Sequence, residues 1–250
     1  MKISKWHGLG NDFILTELSK SSSFDIRGAV ERLCDRHFGV GADGVVTIRH
    51  LSGNAFEMRI YNADGTEPEM CGNATRCVGL YIKRRMLARG DEFELRTKGG
   101  IVRPKVLENG TVRVDMGEPR LLRGEIPVAG NPAEQAREVK LRADGRDFTA
   151  FCVSMGNPHA VIFVPDIEAV ELEKWGPVLE CDPQFPKKIN VEFVEVRSPG
   201  MVRMRVWERG CGITMACGTG SCATAVAGHL SGRTGSCGTV LLDGGALLVA

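Results

Sequence analysis

Two cysteines, Cys71 and Cys217, stand in matching surroundings. The segments Glu69-Met70-Cys71-Gly72-Asn73-Ala74-Thr75-Arg76 and Met215-Ala216-Cys217-Gly218-Thr219-Gly220-Ser221-Cys222 each set a thiol before a glycine, a small polar residue and another small residue. Each reads as the start of a helix that follows a β-like run and a short turn. The first amides of a helix have no carbonyl partner within it and carry a partial positive charge. Such an end binds carboxylates and lowers the pKa of a nearby thiol, bringing it from about 8.5 toward working pH. Two such ends holding one amino-acid carboxylate would set a thiol on each side of its α-carbon. That is an arrangement for moving a proton from one face of a carbon to the other.

The other cysteines have a plainer reading. There are nine in the chain, an odd number, so a fully paired disulfide framework is excluded. Cys77 and Cys222 fall within the expected helices, and Cys34, Cys152 and Cys181 have apolar neighbours, so small buried hydrophobes are expected there. Cys71/Cys77, Cys211/Cys217 and Cys217/Cys222 lack the spacing of a zinc or redox motif, so no metal is expected. Thr97-Lys98-Gly99-Gly100 reads as a turn and not as a pyridoxal phosphate lysine, so no cofactor is expected either.

Composition narrows the class. The chain has 250 residues, 43% of them apolar, and a net charge of +1. That supports a globular protein of one or two domains and gives no overall field for nucleic acid or a membrane. Lys83-Arg84-Arg85 reads as the exposed face of a helix. No apolar run is long enough to span a bilayer, and Met1–Trp6 has no secretory hydrophobic region, so a cytoplasmic setting is expected.

The elements that must carry the two thiols repeat. Cys71 and Cys217 are 146 residues apart, and so are Asn11 and Asn157, Asn62 and Glu208, and Met58-Arg59-Ile60-Tyr61 and Met204-Arg205-Val206-Trp207. Such a period is too long for a solenoid and implies two homologous α/β domains, 1–117 and 118–250. In the first half, strands are expected near Lys2–Trp6, Phe13–Leu15, Val45–Arg49 and Phe56–Tyr61. A helix capped by Asp25 should run to about Arg36, and the helix after Cys71 should close at Gly90. Glu92–Thr97, Ile101–Leu107 and Thr111–Met116 read as a meander with an Asn109-Gly110 turn. Glu171–Glu180 and Val191–Glu195 repeat the first helix and the third strand. After Gly244-Gly245 the second half stops short of the last strand of its twin, which leaves an edge for something to cover.

Together these motifs resemble diaminopimelate epimerase over essentially the whole chain. The resemblance rests on His7-Gly8-Leu9-Gly10-Asn11-Asp12-Phe13, Asn62-Ala63-Asp64-Gly65, Met70-Cys71-Gly72-Asn73, Ser154-Met155-Gly156-Asn157-Pro158-His159, Glu208-Arg209-Gly210 and Ala216-Cys217-Gly218-Thr219-Gly220. It implies two pseudo-symmetric domains, each a curled, mostly antiparallel sheet around a central helix, with the active site between them. The implied reaction is the cofactor-independent conversion of LL-2,6-diaminopimelate to meso-diaminopimelate, a step toward lysine and peptidoglycan. Cys71 and Cys217 are the implied acid and base, with Cys71 taking the proton from the LL isomer. Substrate-binding positions fall on Asn11, Asn62, Gly72, Asn73, Asn157, Asn190, Glu208, Arg209, Gly218 and Thr219, with His159 in support. Arg209 suits a distal carboxylate, and Glu208 suits the ammonium at the reacting carbon. A homodimer is implied. Because two such thiols converge on one carbon, a Cys71–Cys217 disulfide is expected on oxidation.

Four features depart from the family pattern. Gly44, the twin of Asn190, stands where some members carry a side-chain ligand. Ala74 replaces a common glycine, Ile213 stands where glutamate is frequent, and the family usually continues by further strands beyond Gly244-Gly245. Taken by themselves, Asn11, Asn62 and Asn157 are turn asparagines, favoured there for local backbone reasons. A related two-cysteine racemase for proline or histidine shares the thiol logic. A redox or metal-binding thiol protein, or a non-catalytic binding protein of the same fold, lacks support from the cysteine spacing and from the retention of both thiols.

Overall fold

The computed structural model describes residues 2–19 and 25–250. The chain divides into two compact units, Met1–Asp115 and Met116–Ala250.

The first unit opens with strands β1 (Ile3–Gly8) and β2 (Asn11–Leu18), joined by a two-residue turn. Leu9 and Gly10 both have positive φ, at 55° and 86°, the backbone of the turn that best matches strand twist. Helix α1 (Arg27–Cys34) follows, then β3 (Gly44–Ser52), β4 (Ala55–Asn62), α2 (Gly72–Arg84), β5 (Glu94–Thr97) and β6 (Gly100–Val102). The strands form one sheet in the order β1-β2-β3-β4-β5-β6, parallel at β2/β3 and β4/β5 and antiparallel elsewhere. Side chains alternate between its faces. Phe13, Leu15, Val46 and Ile48 pack with Ala74, Val78 and Ile82 of α2, whereas Ile14 and Val45 pack with Val30 and Cys34 of α1. The α2 residues recur at helical spacing, and burying Val78 and Ile82 completely contributes roughly 2 kcal/mol each.

Three local expectations need correction. Asp25 does not cap α1. Ile26 holds the cap position without a side-chain bond, and Asp25 Oδ1 instead accepts from Arg27 N–H in a local turn. Helix α2 ends at Arg84, not near Gly90. Met86 takes φ +52°, its N–H bonds the Lys83 carbonyl, and Leu87 N–H bonds the Ile82 carbonyl. That pair of reverse bonds closes the helix before any glycine is reached. The expected meander also breaks at Arg103-Pro104, after which β7 (Lys105–Val106) and β8 (Val112–Arg113) form a separate two-stranded sheet.

The second unit adds one strand, β9 (Val139–Ala143), ahead of the plan of the first: β10 (Arg146–Ser154), β11 (Pro158–Phe163), α3 (Leu172–Glu180), β12 (Asn190–Ser198), β13 (Met201–Glu208), the short additional strand β14 (Gly212–Ile213), α4 (Gly218–Leu230), β15 (Gly238–Leu242) and β16 (Gly245–Val249). The sheet order is β16-β15-β13-β12-β11-β10-β9, with β14 beside β13. Parallel pairing recurs at the equivalent places, β11/β12 and β13/β15. The registers match too, because Phe13 pairs with Gly44 and His159 pairs with Asn190. Leu172, Trp175 and Leu179 of α3 cover one face with Val191 and Phe193. Helix α4 lies on the other. Cys34, Cys77 and Cys152 are buried as expected, but Cys181 is exposed. Lys83, Arg84 and Arg85 are exposed. No helix among the described residues is long and apolar enough to cross a membrane.

Candidate active site

In the first unit, Cys71 occupies the N-cap of α2 in extended backbone. The first helix bond runs from Thr75 N–H to the Cys71 carbonyl, so the amides of Gly72 and Asn73 precede it and carry the positive end of the helix dipole. The Cys71 thiol lies 3.9 Å from Asn11 Oδ1, which also accepts from Asn73 Nδ2 at 3.2 Å. Asn11 is held from behind, because its Nδ2 donates to Asp43 Oδ2 at 2.8 Å. Asp43 also accepts from the Asp12 amide, and Arg36 bridges Asp43 and Asp12. Burial raises the Asp12 pKa, but hydrogen bonds from Arg36 and Lys5 outweigh it and hold the carboxyl at about 2. An ionised cluster therefore fixes the end of the β1–β2 hairpin against the start of α2.

In the second unit, Cys217 is the N-cap of α4, and Gly218 and Thr219 supply the leading amides. Gly220 N–H donates to Cys217 Sγ at 3.3 Å, and the Thr219 hydroxyl lies 3.5 Å from the same sulfur. Asn157 Nδ2 donates to Thr219 Oγ1 at 3.2 Å, the counterpart of the Asn11–Asn73 bond. His159 follows, with Nε2 3.0 Å from Asn157 Oδ1 and Nδ1 2.6 Å from Glu192 Oε1. The helix N-terminus does not win the contest over the Cys217 thiol. Burial pushes its pKa well up, the carboxylates of Glu208 and Glu192 push the same way, and the Thr219 hydroxyl and Gly220 amide only partly oppose them. The expectation of a lowered pKa is thus corrected for Cys217, which is a thiol near neutral pH. Glu208 is also shifted up, by burial first and by Glu192 as well, against the hydrogen bond it accepts from Thr214 Oγ1 at 2.5 Å.

The diaminopimelate epimerase family model matches residues 3–122 and 151–250. The chain belongs to the diaminopimelate epimerase family. The diaminopimelate epimerase of Desulforudis audaxviator is 52% identical over 253 residues, spanning 100% of this chain and 91% of that protein. That of Pelotomaculum thermopropionicum is 49% identical over 255 residues, with the same coverage. Among solved structures, a hydroxyproline epimerase from Agrobacterium vitis superposes with TM-score 0.67 at 14% identity, over 97% of this chain and 80% of that one. A predicted epimerase from Pseudomonas aeruginosa superposes at 0.61 and 16% identity, over 96% and 91% of the two chains. At such identities these two speak to fold alone.

Against that family pattern, each unit gathers its own share of the expected residues. Cys71, Gly72, Asn73 and Asn11 form one contact group. Asn62 stands apart from their hydrogen bonds: it pairs with Gly44 at the end of β4, and its Nδ2 donates to Thr66 Oγ1 in the following turn. Gly44 could not carry a ligand on this backbone, since a Cβ there would come within 2.6 Å of the Tyr61 carbonyl oxygen. Cys217, Gly218, Thr219, Asn157 and His159 form the second group. Asn190 is buried at the start of β12, its Nδ2 donating to the Pro158 carbonyl and its Oδ1 accepting from Arg209 N–H at 2.9 Å. It therefore shapes the backbone beside Glu208. Arg209 is exposed and donates to the Lys187 carbonyl at 3.2 Å. Asp43, Glu180, Glu192 and Thr214 are additions that sequence reasoning missed. Glu180 accepts from Trp207 Nε1 and from Gly210 N–H, bracketing Glu208 and Arg209. Its place at the end of a helix gave no signal of this. Glu192 had one: a carboxylate set between Val191 and Phe193 in the buried part of a strand.

Proposed function

We propose that the protein converts LL-2,6-diaminopimelate to meso-diaminopimelate without a cofactor, using Cys71 and Cys217 as paired base and acid. The observation that carries this reading is the repetition, in a member of this family, of one thiol at the N-cap of one helix in each unit. An α-proton is weakly acidic, so a cofactor-free reaction needs fixed dipoles where charge develops. The amides of Gly72 and Asn73, and of Gly218 and Thr219, are suited to the substrate carboxylate. One cysteine removes the proton as thiolate, and the other, as thiol, returns a proton to the opposite face. The raised pKa of Cys217 supports its starting as the donor, with Cys71 as the base toward the LL isomer. Glu208 and Arg209 are proposed to bind the substrate ammonium and distal carboxylate, and Asn11, Asn62, Asn157 and Asn190 to bind or shape its polar ends. His159 is assigned a supporting role.

The test is α-proton exchange in D2O with reduced protein, given separately LL-diaminopimelate, L-proline and L-histidine. Deuterium gain with inversion is expected for diaminopimelate alone, and Cys71→Ala and Cys217→Ala should each lower it at least about 100-fold. Exchange with proline or histidine instead would replace the substrate assignment. Undiminished exchange in either variant would end the two-thiol mechanism. A cytoplasmic homodimer completes the proposal, supported by the family resemblance, and sedimentation velocity measures the oligomeric state.

A further inference from the structure

The two units solve the same packing problem in different ways. In the first, Phe13 and Val46 lie under α2 within the hydrophobic core. The residues 146 positions later are His159 and Glu192, in matching register on β11 and β12. Both are completely buried, and Glu192 Oε2 has no hydrogen-bond partner among the described residues. Burying such a pair costs desolvation that apolar side chains of similar size avoid. The first unit shows that this framework closes over hydrocarbon. Stability therefore does not account for the pair.

Its placement suggests the purpose. Glu192 Oε1 sits against the first turn of α4, where a Cβ on Gly220 would come within 2.7 Å of it. Asn157 Nδ2 donates to Thr219 Oγ1, which leaves the hydroxyl's own proton available to Cys217 Sγ. Asn157 Oδ1 can then only accept, so His159 Nε2 carries a proton toward it. His159 Nδ1 faces a carboxylate oxygen at 2.6 Å. Both ring nitrogens thus face acceptors, and the short contact with Glu192 Oε1 fixes the orientation of the ring.

We propose that Glu192 is a positioning residue: by holding the His159 ring against Asn157 it pins Asn157 and Thr219, so that a hydroxyl donor is aimed at Cys217 Sγ when that sulfur is the thiolate. The inference deepens the two-thiol reading and rests on it for its catalytic meaning. The charged and titratable groups facing the Glu192–His159 pair are Cys152 from β10, Glu208 from β13 and Cys217 from the start of α4. Glu192 is the one whose carboxylate contacts the imidazole.

The experiment measures iodoacetamide alkylation of each cysteine against pH by mass spectrometry, beside the pH profile of α-proton exchange. The proteins are wild type, Glu192→Gln, Glu192→Asp and the double variant His159→Phe/Glu192→Val, which copies the first unit and keeps a folded form in hand. Loss of the Glu192 charge by itself lowers the Cys217 curve, and that part is read from Glu192→Gln made on Thr219→Val, which has no hydroxyl to aim. With Thr219 in place, the Cys217 curve of Glu192→Gln and of the double variant should lie about one unit above that electrostatic expectation, about a tenfold slower reaction at neutral pH. The Cys71 curve should stay in place, the alkaline limb of exchange from LL-diaminopimelate, where Cys217 must be a thiol, should move with Cys217, and Glu192→Asp should recover part of the shift. A Cys217 curve that moves equally in folded Glu192→Gln with and without the Thr219 hydroxyl would overturn the inference. A Cys217 curve that shifts in the variants, while the wild-type protein exchanges no diaminopimelate proton, would refute the substrate reading and leave the Glu192 assignment standing.

Discussion

At the scale of single residues, the second half-site is governed by competition between burial and local donors. Cys217 and Glu208 are both pushed up, chiefly by burial; the Glu208 carboxylate adds to the shift of Cys217, and Glu192 adds to both. The donors that favour a thiolate are few and specific: the Gly220 amide and the Thr219 hydroxyl. Gly220 is consequently constrained twice, by Glu192 Oε1 at 2.7 Å and by Cys217 Sγ at 3.2 Å from any added Cβ. Gly220→Ala should therefore force Glu192 or the thiol aside, costing about 1–3 kcal/mol of stability. Exchange activity should fall by more than that loss explains under conditions where the variant stays folded. Thermal melts beside initial exchange rates check this, and wild-type activity in Gly220→Ala would contradict the geometry.

At the scale of elements, the helices α2 and α4 each present a cysteine at the N-cap, from opposite kinds of support. Helix α2 is amphipathic and rides on hydrocarbon, with its N-terminus locked by the Asp12, Asp43 and Arg36 cluster. Helix α4 stands over a polar set, His159 and Glu192, and its buried face is built from small residues such as Ala223 and Ala227. The C-terminal closure of α2 is visibly imperfect, since exposed Met86 adopts φ +52°, a conformation that costs a non-glycine residue energy. Met86→Gly should therefore raise stability by about 0.5–1 kcal/mol, a shift of a few degrees in Tm by calorimetry, with exchange activity unchanged. A lowered Tm would mean that the Met86 side chain contributes more than its backbone costs.

At the scale of the whole molecule, one plan is used twice with different side chains. The pairing Phe13/Gly44 in one unit is His159/Asn190 in the other, so the halves share a fold and differ in chemistry. A mechanism that uses one thiol from each half makes both sulfurs jointly vulnerable. Activity is expected to need a reductant, and mild oxidation should abolish exchange together with a two-hydrogen mass loss in a peptide pair containing Cys71 and Cys217. Dithiothreitol should restore it. Full activity in a sample carrying that crosslink would sink the two-thiol mechanism.

Much of this was legible in the sequence because it is local or periodic. The N-caps at Cys71 and Cys217 follow from a few consecutive residues, the repeat from a constant offset, and family membership from motifs spread over the chain. Boundaries were less legible. The end of α2 depends on reverse hydrogen bonds at Met86 and on the packing of Leu87, not on where the next glycine lies. The sequence alone determined that Cys71 and Cys217 open helices and that the two halves repeat. Only the tertiary structure decided that Asp43 holds Asn11, that Asn190 is spent on backbone, that Cys217 is pushed up, and that Glu192 stands behind His159. Those outcomes join residues 32, 19, 9 and 33 positions apart. Charge and desolvation act through space, and strand register, not chain distance, sets which groups share a buried volume.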